Sequence, residues 1–196
     1  MLTSIHRLRR ATQCTHPIRR SAVVTATLLA FLSSSAAQAD LFTYLTLTID
    51  GQVVTGGVTQ SGREGTIQTA AFSMPGFSPV SAAGVAGPAQ SRPVTATLSV
   101  DQATPLLFQA WANGGVIDSA VFRLYRPTQT GQEENYMTVT LTNGRIAGVA
   151  LTSPDTNDVA LISRPTTVHV TFTYATATWD FEVGGPSVTR PWQDGQ

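Results

Sequence analysis

The run Val94-Thr95-Ala96-Thr97-Leu98-Ser99-Val100, followed at once by Asp101-Gln102-Ala103-Thr104-Pro105-Leu106-Leu107-Phe108-Gln109-Ala110-Trp111-Ala112-Asn113-Gly114, contains both periods on which a fold can be built. In its first half Val94, Ala96, Leu98 and Val100 alternate with Thr95, Thr97 and Ser99, the period of two of a strand with one face buried. In its second half the punctuation is that of a short helix. Thr104 stands as N-cap and Pro105 at the first helical position, Leu107, Ala110 and Trp111 share a face, and Asn113-Gly114 ends the element. A single helix of about 104–113 among strands is expected to plug one open end of a barrel or sandwich with Leu107 and Trp111. The alternative is a Leu/Phe/Trp patch displayed for a partner.

The period of two recurs outward from this stretch. Leu45, Leu47 and Ile49 alternate with Tyr44, Thr46 and Thr48, and Met137, Val139 and Leu141 with Tyr136, Thr138 and Thr140. These are half-buried antiparallel strands whose second face is rich in threonine, a residue that favours strands and tolerates water. Thr66–Met74, Val116–Tyr125 and Ile146–Leu151 read as further strands, and Asn143-Gly144 supplies the positive φ values of a tight hairpin turn. Near the C-terminus the apolar residues sit at even positions, Val168, Val170, Phe172 and Tyr174, then at odd ones, Trp179, Phe181 and Val183. A phase slip near Ala175 and Thr176 predicts a bulge or sharp bend that lets one segment serve two sheets. The Pro/Gly/Ala/Ser-rich stretch from Pro75 to Arg92 reads as a long loop.

At the N-terminus Arg7, Arg9, Arg10, Arg19 and Arg20 precede an apolar run from Ala22 to Leu32, then the small residues Ser33 to Ala39. This is the order of a secretory signal peptide, with Ala37-Gln38-Ala39 as an A-x-A cleavage site and Asp40 as the expected first mature residue. The apolar run is far short of the roughly 20 residues that span a bilayer. Ser21-Ala22-Val23 after the arginine pair does not continue a twin-arginine signal, so general secretion is the expectation. Removing residues 1–39 takes five of the twelve basic residues and none of the twelve acidic ones, leaving seven against twelve, a charge of −5. The chain has no lysine, so a uniform basic field for nucleic acid or an anionic membrane is absent. Its single cysteine, Cys14, leaves with the same segment, which excludes a disulfide or a cysteine-based site in one mature domain, 40–196.

Catalytic chemistry finds little support. His6 and His16 fall in the export segment, and His169 lies on the threonine side of a strand, where it reads as a solvated residue. Glu133-Glu134 lies in a Gly-bounded turn from Thr130 to Asn135 and reads as a solvated tip. Asp155 and Asp158 could hold calcium, but their spacing departs from the EF-hand pattern and turn chemistry explains them as well. Gly114-Gly115 and Gly184-Gly185 lack the context of a phosphate cradle. No catalytic, cofactor or metal residues are therefore expected.

Several stretches, in order along the chain, carry a family resemblance. They are Tyr44-Leu45-Thr46-Leu47 with Asp50-Gly51, Gly62 followed by Ile67 to Ser73, Arg92-Pro93-Val94, Asp101 to Ala110 with Asn113-Gly114, Phe122 to Arg126, Tyr136 to Thr142, and Thr178-Trp179. Together they resemble the haemolysin-coregulated protein (Hcp) family, the tube subunit of type VI secretion. The resemblance implies an all-β fold, a β-barrel of two antiparallel sheets with one short helix, in agreement with the residue patterns. It further implies six copies closing into a ring, and rings stacking into a tube that carries or is co-secreted with effectors. The expected partners are thus copies of the chain itself, other secretion components and effectors.

In the family a comparably placed extended loop reaches a neighbouring subunit or ring, and the resemblance carries that role to Phe77, Pro79, Val80 and Arg92. Ordering such a loop costs on the order of 1 kcal/mol or more per residue, which a neighbouring ring could offset. Family subunits leave through the secretion machine and need no cleavable signal. The export segment thus implies either an offshoot acting in the periplasm or outside the cell, or a natural start downstream, with residence in the cytoplasm before secretion. Two other readings stand beside this one: a secreted β-sandwich that binds a glycan or receptor through Trp111, Trp179 or Trp192, and a hydrolase with a site made of carboxylates alone.

Overall fold

The computed structural model describes residues 42–194 of the chain. The expected export segment and its cleavage site lie outside the described residues. In chain order the elements are β1 (Thr43–Ile49), β2 (Gln52–Val54), β3 (Ile67–Ser73), β4 (Gly76–Phe77), β5 (Gln90–Ser91), β6 (Val94–Ser99), α1 (Thr104–Asn113), β7 (Val116–Pro127), β8 (Glu133–Thr152), β9 (Thr167–Thr173), β10 (Thr176–Phe181) and β11 (Ser187–Pro191).

Six strands close on themselves in the order β1-β3-β6-β9-β8-β7, each antiparallel to its neighbours, and closure removes their open edges. The inward residues are those the alternation predicts. Leu45 and Leu47, Ile67, Val94 and Leu98, Phe122, Leu141, Val168 and Phe172 are all buried. Phe122 and Phe172 meet edge to face at 5.9 Å, a geometry that adds to the area they bury.

Closure depends on β8, which is a single strand of 20 residues where two strands and a hairpin were expected. Asn143, at φ 51°, and Gly144 bend it instead of ending it. Before the bend β8 pairs with β7 on one side and β10 on the other, and after it with β9. A Cβ at Gly144 would overlap the carbonyl oxygen of Thr173, so the bend is possible only where the side chain is absent. The phase slip in the following segment answers this bend. The chain leaves β9 at Thr173, turns through Tyr174 and Ala175, and re-pairs with the first half of β8 as β10. One long strand thus belongs to both sheets while its partner is broken in two.

The helix occupies the expected residues but is capped differently. Ala103, not Thr104, is the N-cap and makes no side-chain cap bond. Asp101 supplies the cap, because its Oδ1 accepts from the Ala103 N–H at 2.9 Å and its Oδ2 from the Gly57 N–H at 2.7 Å. Gly114 ends the helix in the left-handed region at φ 65°. Ala103 and Leu107 are buried and Ala110 packs against the core, but Trp111 is 48% exposed and does not plug the barrel. The buried stripe runs through Ala103, Leu107 and Ala110, and Trp111 falls about 100° round the axis from Ala110. Among the described residues no helix is long and apolar enough to cross a membrane.

Candidate functional site

The stretch read as a long loop folds back on itself. Gly76–Phe77 pairs with Gln90–Ser91, and Val80 bridges Ala86. The tip is a turn in which the Ser81 N–H donates to Val85 O and the Gly84 N–H to Ser81 O, both at 2.9 Å. The base is tied to the end of the chain, since the Ser91 N–H donates to Gln193 O at 2.8 Å and the Gln193 N–H to Ser91 Oγ at 3.0 Å. The segment is therefore a two-stranded ribbon that carries its own hydrogen bonds. Its apolar side chains face solvent, with Phe77 44%, Val80 67% and Val85 66% exposed. Arg92 lies over the Phe77 ring at 5.0 Å, and Pro79 O accepts from the Gly87 N–H at 2.7 Å.

Ribbon and helix leave opposite ends of β6, because the ribbon joins β3 to β6 and the helix joins β6 to β7 in an antiparallel arrangement. At the helix end a groove of about 280 Å³ runs between α1 and the β1–β2 turn, lined by Ile49, Val53, Leu106, Ala110 and their neighbours. Asp50, at its rim, accepts the Val116 N–H at 2.9 Å, and Asp118 accepts the Gly51 N–H of the same turn at 2.7 Å.

Between the two ends the outward face of the β1/β7/β8/β10/β11 sheet carries hydroxyl rows in register. Thr46, Val121, Thr140, Thr178 and Thr189 stand opposite one another, followed by Thr48, Ser119, Thr142 and Thr176. These rows contain no charged residue.

A further construction is absent from any single stretch of sequence. Arg63, in the loop between β2 and β3, lies over the rings of Tyr125 at 3.6 Å and Tyr44 at 4.7 Å and pairs with Glu133 at 2.7 Å. Burial opposes its charge, but the interactions with Tyr44 and Glu133 outweigh it and raise its pKa above the ordinary value. This clamp explains why Tyr44, expected on the wet face of β1, is 4% exposed. The Glu133-Glu134 pair is also not a free tip, since both residues open β8 and Glu134 pairs with Arg126 at 2.8 Å.

The remaining sequence candidates are not brought together. His169 is exposed on β9 with Nδ1 3.1 Å from Thr97 Oγ1. Asp155 and Asp158 accept the N–H groups of Asn157 and Ala160, the bonds of two Asx turns. Trp192 is not a free platform, for it packs edge to face on Tyr174 at 4.9 Å, and its Nε1–H donates to Asp194 at 2.5 Å. Trp179 packs against the core from β10, so of the three tryptophans Trp111 is the displayed one.

A family model described as the type VI secretion system effector Hcp matches residues 44–181, well over half of the chain. The chain belongs to the Hcp family. The Major exported protein of Pseudomonas aeruginosa is 29% identical over 102 residues, covering 52% of this chain and 59% of that protein, so the match spans less than two-thirds of the relative. A crystal structure of an Hcp protein superposes with a TM-score of 0.72 at 21% identity, covering 79% of this chain and 99% of the other. A variant of Hcp1 from E. coli EAEC 042 gives 0.70 at 26% identity, covering 78% and 99%. The two superpositions cover nearly the full length of the matched structures, so this chain shares their overall fold.

Proposed function

We propose that this Hcp-family chain is a non-catalytic structural subunit of type VI secretion. Six copies close into a ring, rings stack into a tube, and the tube carries or is co-secreted with effectors. The observation that carries the reading is the ribbon: it holds its own backbone bonds yet leaves Phe77, Val80 and Val85 exposed, a surface with a use only against another molecule. Closure asks each subunit to bury on the order of 800 Å² against its neighbour through a heterologous contact. The two hydroxyl rows of the sheet face offer uncharged surface for this at little desolvation cost.

Light scattering behind size exclusion, at several concentrations and salt levels, tests the reading. A mass of six copies is expected, and a persistent monomer would remove it in favour of an exported binding module that keeps the fold without assembly. Replacing Phe77 and Val80 by Asp is expected to abolish ring stacking while the barrel stays folded by circular dichroism, because neither side chain belongs to the core. Unchanged stacking would free the ribbon of this role.

A further inference from the structure

The β10–β11 hairpin reaches past the closed barrel, because β11 pairs with β10 alone. Residues directly opposite one another in an antiparallel pair share a face, so Arg190, opposite Ala177, stands on the side that β10 turns inward with Ala177 and Trp179. β11 carries Arg190 beyond the cover of the barrel strands, and the residue is exposed. The base of the ribbon lies across from it, with a cleft of about 310 Å³ between the two. That volume is at the lower end of the range for small-molecule sites. Phe77, Tyr174 and Trp179 give the cleft aromatic walls, and Arg190, Gln90 and Gln193 give it polar groups. Among the described residues no hydrogen bond or ion pair engages the side chains of these last three, and no acidic side chain lines the cleft.

We infer that this cleft is a binding site for a saccharide that carries a carboxylate, a role that does not depend on the tube-subunit reading. A sugar ring has a face of C–H groups that packs on an aromatic ring, and an edge of hydroxyls that are each both donor and acceptor. A glutamine amide answers such hydroxyls on both counts, with a carbonyl that accepts and an NH2 that donates. Arg190 is the one charged residue of the lining, and its planar fork matches a carboxylate through two parallel hydrogen bonds. In a chain whose described residues carry more acidic than basic side chains, a cleft whose only charge is positive selects for an anion. A simple anion would use the guanidinium alone and leave the rings and amides without contact.

Biolayer interferometry of the purified chain on two immobilised oligosaccharides, one ending in glucuronate and one in glucose, tests the assignment. Saturable binding to the glucuronate surface is expected, and binding roughly tenfold or more weaker to the glucose surface, the loss of a charge-assisted hydrogen-bond pair. Free glucuronate is expected to compete, and acetate at the same concentration to leave binding unchanged. Arg190→Gln is expected to bring the glucuronate surface down to the level of the glucose one with an unchanged circular dichroism spectrum, because the Arg190 side chain has no partner in the fold. Equal binding of the parent chain to both surfaces, or saturable binding to neither, would overturn the inference. So would competition by acetate as strong as that by glucuronate, which would show an anion site only, or parental binding by Arg190→Gln. The surface and competition readouts use the unaltered chain and hold whatever the variant's folding. A six-fold mass without saccharide binding overturns this assignment and leaves the tube subunit standing, whereas a monomer that binds glucuronate does the reverse.

Discussion

Asp50-Gly51 and Asn143-Gly144 present the same local signal, an Asx-Gly pair between two alternating apolar runs, and the chain does opposite things at them. At the first, Asp50 and Gly51 take φ values of 50° and 74° and reverse the chain into a two-residue hairpin in which Ile49 faces Gln52. At the second, only Asn143 takes a positive φ, 51°, and the strand continues through a bend. The difference lies in what surrounds the glycine. Gly51 has nothing within 4 Å of where a Cβ would stand, whereas Gly144 is crossed by the backbone of Thr173 as β9 leaves the barrel. One glycine is chosen for its torsion angles and the other for its missing side chain, a distinction that the dipeptide alone does not carry.

Substitutions can break this contrast, and their effects are ordered by mechanism. The largest belongs to Gly144→Ala. Because the obstacle is backbone, relief requires β8 and β9 to separate, and a loss of about 3 kcal/mol or more is expected as a lower midpoint of urea unfolding. Asp50→Ala is expected to cost about 1–2 kcal/mol, since it removes the acceptor of the Val116 N–H and leaves an alanine at positive φ. Gly51→Ala meets no atoms and pays only for its torsion, about 1 kcal/mol on the same measurement. Asn143→Gly should move the midpoint by less than about 0.5 kcal/mol, because relief of the left-handed backbone is offset by greater freedom of the unfolded chain. If Gly51→Ala proved as damaging as Gly144→Ala, the assignment of torsion to one site and crowding to the other would fail.

The sequence discloses what is local and periodic. The alternation of β1, β6 and β9 located the core residues, and Pro105 and Gly114 located the helix, because these signals repeat within one element. The phase slip near Ala175 was legible for the same reason, although its cause lies some thirty residues earlier at Gly144. The ribbon from Pro75 to Arg92 was not legible as paired strands, since its pairing rests on backbone bonds to Gln193 and across its own base rather than on an alternating face. Trp111 was misplaced because a helical face of three residues leaves room for a stripe displaced by one position. Phe77, Pro79, Val80 and Arg92 were singled out from the sequence; the structure places Phe77 and Val80 exposed on the ribbon, and their part in assembly is a proposal. The groove beside Leu106 was not legible, because Val53 and Leu106 meet only through the β1–β2 turn. The Arg63 clamp was invisible, drawing its partners from β1, β7 and β8.

The hydroxyl rows on the β1/β7/β8/β10/β11 face carry a consequence for anything that moves along them. A wall with fixed charges gathers an ionic atmosphere, which a passing protein must displace or be held by, and its grip changes with salt. Within the two rows threonine hydroxyls instead hold a neutral layer of water, and the fixed charges in the adjacent row of the same face, Arg123 and Asp180, are of opposite sign. If the chain is the tube subunit proposed above and this face lines a passage, uncharged rows beside one pair of opposite charges would favour neither an acidic nor a basic passenger by net charge.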